Sequence, residues 1–100
     1  MTELAQTLQE LDLVVGRITG VEPHPGARAP SYLLRLDLGG RGEREASVEA
    51  AGYGPDELEG AQVLCALHGG AVLVLAARSH AHGSVLLRPE REVEDGTVVA

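Results

Sequence analysis

The sequence predicts an all-β protein that folds as a small closed barrel, and two patterns support this prediction. Residues 13–21 are rich in Val and Ile and are interrupted by Gly16 and Gly20. Glycines inside a strand usually mark a bend or a bulge, and a small barrel needs a long, bent first strand. Residues 31–38 alternate in polarity, which is typical of a half-buried strand. Barrels of this kind often bind nucleic acid or peptide on one face.

The length of 100 residues predicts one domain, with a helix at 1–10 and a barrel at 11–100. Phe and Trp are absent and only two tyrosines are present, so the core must consist mainly of Val, Leu and Ala. The single cysteine, Cys65, excludes an intramolecular disulfide and fits a reducing cytosol. Neither a signal-peptide pattern nor a membrane-spanning apolar run occurs, so we expect a cytoplasmic protein.

The N-terminal segment predicts a short amphipathic helix over Thr2–Glu10, with Thr2 as its N-cap. Leu4, Leu8 and Leu11 recur at helical spacing and share one face. A terminal helix with one apolar stripe packs either on its own barrel or on a partner subunit.

The rest of the chain predicts strands joined by short connections. Pro55–Glu59 has a proline at its start and acids in its first turn, which predicts a helical turn across one end of the barrel. Gly69 and Gly70 predict a tight hairpin, residues 78–83 a polar loop, and residues 90–96 an acidic segment before a final short strand. The predicted strands are 13–22, 31–38, 43–50, 61–68, 71–77 and 84–88.

Several motifs resemble those of one known family in their order and spacing. They are DLVVGRI at 12–18, PGARAP at 25–30, YLLRLDLG at 32–39, YGPDEL at 53–58, QVL at 62–64, VLVL at 72–75, VLLRP at 85–89 and DGT at 95–97. Together they resemble the CsaA family, part of the wider group of tRNA-binding OB-fold domains. The resemblance implies a five-stranded OB-fold barrel, a homodimer formed through the N-terminal segment, tRNA binding and an export-related chaperone role.

The departures from the family pattern fall mostly at positions that should contact a ligand. Val14 replaces a basic residue, Ala29 and Leu33 replace lysine-like residues, and Glu49 adds an acid where the family has a polar segment. The basic loop that the family carries before the VLVL motif is shortened to residues 68–71. Scaffold positions are therefore kept better than ligand positions, as expected of a diverged member whose ligand has changed or been lost.

Net charge weighs against the nucleic-acid interpretation, because RNA binding gains affinity from cations and this chain carries a net charge of -7. A local cluster of arginines on an acidic body would still suffice for phosphate contacts. Arg41, Arg44 and Arg91 are interpreted as surface charges. The candidate nucleic-acid-binding residues are Arg17, Arg28, Tyr32, Arg35 and Arg78.

The two tyrosines have alternative roles. Aromatic rings serve OB-folds as stacking platforms for single-stranded bases. Tyr53 is interpreted as a core ring because it adjoins the helical turn, whereas Tyr32 remains open between core and platform.

Catalytic and metal-binding motifs are not evident. His80 and His82 would share one side of a strand, but two ligands rarely make a metal site and no third ligand is near. Cys65 lies in an apolar run and is interpreted as an inert core thiol. We expect no enzyme activity, no cofactor and no metal.

Three functions remain open. The first is non-catalytic tRNA binding, and the second is a chaperone role towards unfolded preproteins or apolar peptide segments. The third is a diverged domain that retains only dimerisation.

Overall fold

The computed structural model describes residues 3–26, 28–49 and 52–100. Helix α1 begins at Glu3, so the predicted N-cap, Thr2, lies outside the described residues. A 3-10 turn at Gly39–Arg41 follows the second strand, and a one-turn helix precedes the fourth. The elements of the described residues are α1 (Glu3–Glu10), β1 (Leu13–Pro23), β2 (Ser31–Asp37), β3 (Glu43–Glu49), α2 (Pro55–Leu58), β4 (Gln62–His68), β5 (Ala71–Val74), β6 (Ala76–Ser79) and β7 (Gly83–Leu86).

Five antiparallel strands form one strongly bent sheet in the order β3-β2-β1-β4-β5. The long central strand, β1, pairs with β4 through residues 13–17 and with β2 through residues 17–23. The pairing with β2 shifts register between Ile18 and Gly20, which is the bulge that the glycines predict. The outer strands β3 and β5 pack against each other, so the sheet forms a nearly closed barrel. The predicted five-stranded OB-fold is thereby confirmed.

The core lies inside this barrel and is aliphatic. Alternate residues of β2, Leu34 and Leu36, point inward and are fully buried together with Ile18 and Leu38. Leu58 is also fully buried, because the predicted helical turn α2 places it across one end of the barrel. Burying a side chain of this size contributes about 1.5–3 kcal/mol, so the aliphatic interior compensates for the lack of Phe and Trp.

The predicted strand 71–77 is wrong as a single element, because the chain leaves the barrel sheet at Leu75. The Leu75 backbone N–H donates to the Leu64 carbonyl at 2.9 Å, and its carbonyl accepts from the Leu87 N–H at 3.1 Å. Beyond this junction β6 and β7 pair only with each other, as a second two-stranded sheet. The predicted polar loop at 78–83 therefore begins as strand, with Arg78 opposite Ser84.

The C-terminal segment returns to the first strand. The Gly96 N–H donates to the Val15 carbonyl at 2.7 Å, and the Val15 N–H donates to the Thr97 carbonyl at 2.9 Å. The predicted final strand is thus a short pairing with β1, in which Val98 bridges to Val14. The acidic residues before it belong to an ordered connection.

Helix α1 matches the prediction within one residue. Leu4 and Leu11 on its predicted apolar stripe are 83% and 54% exposed. These two leucines therefore leave apolar surface uncovered in the single chain. None of the helices in the described parts of the chain is long and apolar enough to cross a membrane.

Candidate ligand-binding groove

A groove of about 300 Å³ lies where β3 faces β5 and the β6–β7 hairpin. Its buried floor is formed by Val48, Val74 and Leu86. Leu73 lies on its rim and is 64% exposed, which is high for a large aliphatic side chain. We refer to this feature as the seam groove. Its lining residues are Ser47, Val48, Glu49, Leu73, Val74, Leu75, Ala76, Arg78, Ser84 and Leu86.

The end of β3 supplies three consecutive residues, 47–49, to the seam groove. Ala46 and Val48 point into the core, whereas Glu45 and Glu49 on the opposite face are exposed. The β6–β7 hairpin crosses close to the end of β3, where the Ser84 Oγ donates to Glu49 Oε2 at 3.2 Å. The groove therefore combines an aliphatic floor with one carboxylate and, from Arg78, one guanidinium.

The edges of the barrel sheet meet at this groove. The strand order leaves β3 and β5 at the two ends of the sheet. Among the described residues, no backbone hydrogen bond joins these two strands to each other. Edge strands present backbone groups that can pair with an extended chain, while the adjacent apolar surface accepts its side chains.

Tyr32 and Tyr53 are linked by hydrogen bonds that reach Leu86 on the floor of the seam groove. The Tyr32 hydroxyl donates to the Tyr53 carbonyl at 2.8 Å, and the Leu86 N–H donates to the Tyr53 hydroxyl at 3.1 Å. Both rings are half-buried and pack against the core. The structure therefore shows the core role expected for Tyr53. Tyr32 also packs against the core with a half-buried ring.

Arg28 and Tyr32 are brought together by the loop between β1 and β2. They line an open pocket of about 360 Å³ with His24 and three prolines. A hydrogen bond of 2.9 Å joins His24 Nδ1 to Ser47 Oγ and ties this loop to β3. Arg28 is exposed and supplies the positive charge of the pocket. We refer to this feature as the loop pocket.

Arg35 lies apart from the loop pocket, on the outer face of β2. Its cross-strand neighbour is Glu45, and Glu22 lines the same shallow depression. A second depression places Arg35 beside Glu43. Three carboxylates and one further cation, Arg44, line these two depressions, so the net negative charge around Arg35 weakens its attraction for phosphate.

Arg17 points to the C-terminal segment. Its Nε donates to Asp95 Oδ1 at 3.1 Å, and its Nη1 donates to the Gly60 carbonyl at 2.9 Å and to Glu92 Oε1 at 2.6 Å. The hydrogen bond that Arg17 donates to Glu92 and the charge of Asp95 raise the pKa of Arg17 above its ordinary value. Arg17 thus holds the C-terminal segment against the barrel.

Gln62 completes this attachment. It is buried, its Nε2 donates to the Val93 carbonyl at 2.6 Å, and its Oε1 accepts from the Val93 N–H at 3.0 Å. The same amide nitrogen donates to Asp95 Oδ1 at 2.9 Å. Every polar group of this side chain is used for folding, which leaves none for a ligand.

The five candidate residues therefore do not form one patch. Arg28 and Tyr32 share the loop pocket, Arg78 lines the seam groove, Arg35 lies on the outer face and Arg17 is engaged in ion pairs. The sequence did not identify the seam groove, since its walls come from strands far apart in the chain. The one local signal was Leu73, an aliphatic residue at an outward position of a hairpin strand.

The remaining chemistry-bearing residues are dispersed or buried. Arg41 and Asp12 form a surface ion pair at 2.8 Å, and the bond from Arg41 lowers the pKa of Asp12. Burial raises the pKa of the Cys65 thiol to about 11, so the thiolate is disfavoured. Within the described ranges, no three His, Cys, Asp or Glu side chains are placed to hold a metal ion.

The barrel and the helical turn across its end define an OB-fold domain. No family model and no curated protein matches the sequence. Solved structures do match it, beginning with the chaperone CsaA of Bacillus anthracis, at 31% identity and a TM-score of 0.84, covering 100% of this chain and 99% of that one. The chain belongs to the CsaA family.

Two further structures extend this relationship. The CsaA chaperone protein of Picrophilus torridus is 26% identical with a TM-score of 0.84, and each chain is covered completely. A MetRS-related protein of Pyrococcus horikoshii is 19% identical with a TM-score of 0.76, covering 100% of this chain and 98% of that one, and it shares the fold.

Proposed function

We propose that this protein is a non-catalytic binding protein that holds extended, apolar peptide segments, as a chaperone does. The observation that carries the proposal is the seam groove, with its buried aliphatic floor and its exposed Leu73. Leu73 exposes apolar surface beside an aliphatic floor, and an apolar side chain of a ligand that covers Leu73 removes that surface from water. The chaperones among the structural relatives support the same function.

The groove suits an extended chain better than a folded surface. Its walls are the ends of the edge strands β3 and β5, whose backbone groups can pair with an extended chain, and its floor can contact aliphatic side chains of that chain. Backbone pairing is independent of sequence, so a groove of this kind accepts many segments that share only apolar character. This is the property that a chaperone requires.

The test is suppression of aggregation of a heat-denatured client protein, followed by light scattering. We expect the wild-type protein to suppress aggregation, and Leu73→Asn to lose most of this activity. Val98→Asn is the matched control, since Val98 is 53% exposed but lies outside the groove. A wild-type protein that leaves aggregation unchanged at molar excess would contradict the proposal. Equal loss in both variants would place the binding surface elsewhere.

tRNA binding is the second candidate, and the loop pocket is the observation that favours it. Arg28 is exposed there beside Tyr32 and His24, in the loop between the first two strands. Loops at this position are part of the ligand surface of many OB-folds. The charge of -7 and the dispersed arginines weigh against it, because phosphate binding depends on clustered cations.

A further inference from the structure

We infer that the seam groove selects extended peptides in which a basic residue lies beside an aliphatic one, with Glu49 as the residue that contacts the basic side chain. This inference rests on the proposed peptide-binding function and names its substrate class. Glu49 and Leu73 line the same groove, so one ligand can meet both.

The local charges around Glu49 leave its carboxylate open to a ligand. On β2 its cross-strand neighbour is Ser31, whereas the carboxylate of Glu45 faces Arg35. The hydroxyl of Ser84 donates to one Glu49 oxygen at 3.2 Å and adds no charge. A carboxylate oxygen accepts more than one hydrogen bond, so an ammonium or guanidinium group can still bind.

The wider charge distribution acts in the same direction. The exposed face of β3 carries Glu43, Glu45 and Glu49, and the cations near it are Arg35, Arg44 and Arg78. Arg44 donates to the carbonyl of Glu43. The whole chain has a net charge of -7. The three cations balance the three carboxylates locally, so the attraction for cationic segments comes from the net charge of the whole chain, and it falls as salt is added.

The geometry of an extended ligand connects the two contacts. Successive side chains of a strand point to opposite faces. Val48 and Glu49 also point to opposite faces of β3, so a peptide that pairs with β3 presents its aliphatic residue to the floor and the adjacent basic residue to Glu49. Arg78 lies in the same groove and disfavours the basic residue, so its removal should strengthen binding.

The experiment uses three labelled peptides with one aliphatic core and with lysine, glutamine or glutamate flanks, titrated with the full-length protein by fluorescence anisotropy. We expect the lysine peptide to bind about two- to fivefold more tightly than the glutamine peptide at low salt, as for an exposed ion pair. Glu49→Gln should remove most of this preference, the remainder coming from the net charge of the whole chain, while keeping the bond from Ser84. Arg78→Gln should increase it.

Glu59→Gln is the matched control, because it makes the same change in net charge at an exposed site beyond α2. Equal loss of preference in Glu59→Gln and Glu49→Gln would overturn the assignment of Glu49. Equal affinity for all three peptides would overturn the inference and leave the proposed function standing. Failure of all three peptides to bind would refute the proposed function itself.

Discussion

Replacement of Gly96 by alanine should destabilise this protein much more than the same replacement at Gly83. Both glycines have a positive φ, 89° at Gly96 and 71° at Gly83, so both substitutions impose a left-handed backbone on alanine. The surroundings differ, however. A Cβ at Gly96 would collide with the carbonyl oxygen of Leu38, whereas a Cβ at Gly83 would have no heavy atom within 4 Å. The Gly83→Ala substitution therefore measures the cost of the left-handed backbone alone, without a collision.

The magnitude follows from the contacts that must be lost. The left-handed conformation costs alanine about 1–2 kcal/mol at either site. Relief of the collision requires the C-terminal segment to move away from β1, which loosens the bonds between Gly96 and Val15 and between Val15 and Thr97. A backbone hydrogen bond contributes about 1 kcal/mol net. We expect losses of about 3 kcal/mol at Gly96 and about 1 kcal/mol at Gly83.

The assay is urea unfolding followed by far-ultraviolet circular dichroism, with all proteins at one concentration. With a slope of about 1–3 kcal/mol per molar urea, the Gly96→Ala midpoint should fall by about 1–3 M. The Gly83→Ala midpoint should fall by about a third of that. Equal shifts in the two variants would refute the argument that the C-terminal segment packs tightly against the turn after β2.

Three further predictions concern single side chains. Arg17→Met should lower the urea midpoint more than Arg41→Met, because Arg17 joins the C-terminal segment to the barrel while Arg41 forms one surface ion pair. Burial raises the pKa of Cys65 to about 11 from 9.0, so the unfolded thiol ionises first; its contribution to stability should be full below pH 9.0 and lost as the pH rises towards 11. At about pH 8, the native thiol should not react with a thiol reagent until urea unfolds the protein. We propose that the chain forms a homodimer through its N-terminal segment. Leu4→Ser combined with Leu11→Ser should then convert the dimer to a monomer in sedimentation velocity, because Leu4 on α1 and Leu11 directly after it are both exposed.

Each of these predictions has a result that would contradict it. Equal midpoints for the two arginine variants would mean that Arg17 is dispensable for the C-terminal segment. Fast reaction of Cys65 in the native protein would mean that the barrel opens readily at β4. A double leucine variant that remains dimeric would place the subunit interface away from α1.

The barrel itself could be predicted from the sequence because its signals are local. The alternation over 31–38 determines which side of β2 faces the core, and Gly20 lies at the register shift of β1. The adjacent glycines Gly69 and Gly70 connect β4 and β5 as a tight hairpin. In each case a few neighbouring residues determine the backbone, so no distant partner is needed.

The ligand surfaces could be predicted only in part, since they depend on contacts between distant residues. Arginine is a residue type that often binds phosphate, but the structure places the donors of Arg17 against Asp95, 78 positions away in the sequence. The seam groove exists because the hairpin leaves the barrel sheet at Leu75, and the continuous VLVLAA run conceals that junction. The acidic segment 90–96 has the composition of a free tail, yet Gln62 and Arg17 bind it to the barrel.

The most direct test of the peptide-binding proposal is a parallel titration of labelled bulk tRNA and a labelled peptide with an aliphatic core and lysine flanks, by anisotropy across a salt series. The proposal predicts that the peptide binds, that Leu73→Asn weakens this binding, and that tRNA binds poorly even at low salt. The contrary result is tight tRNA binding that falls steeply with salt, together with no peptide binding. That outcome would mean that Arg28 and the other arginines act together despite the net charge of -7, and that the loop pocket is the functional site.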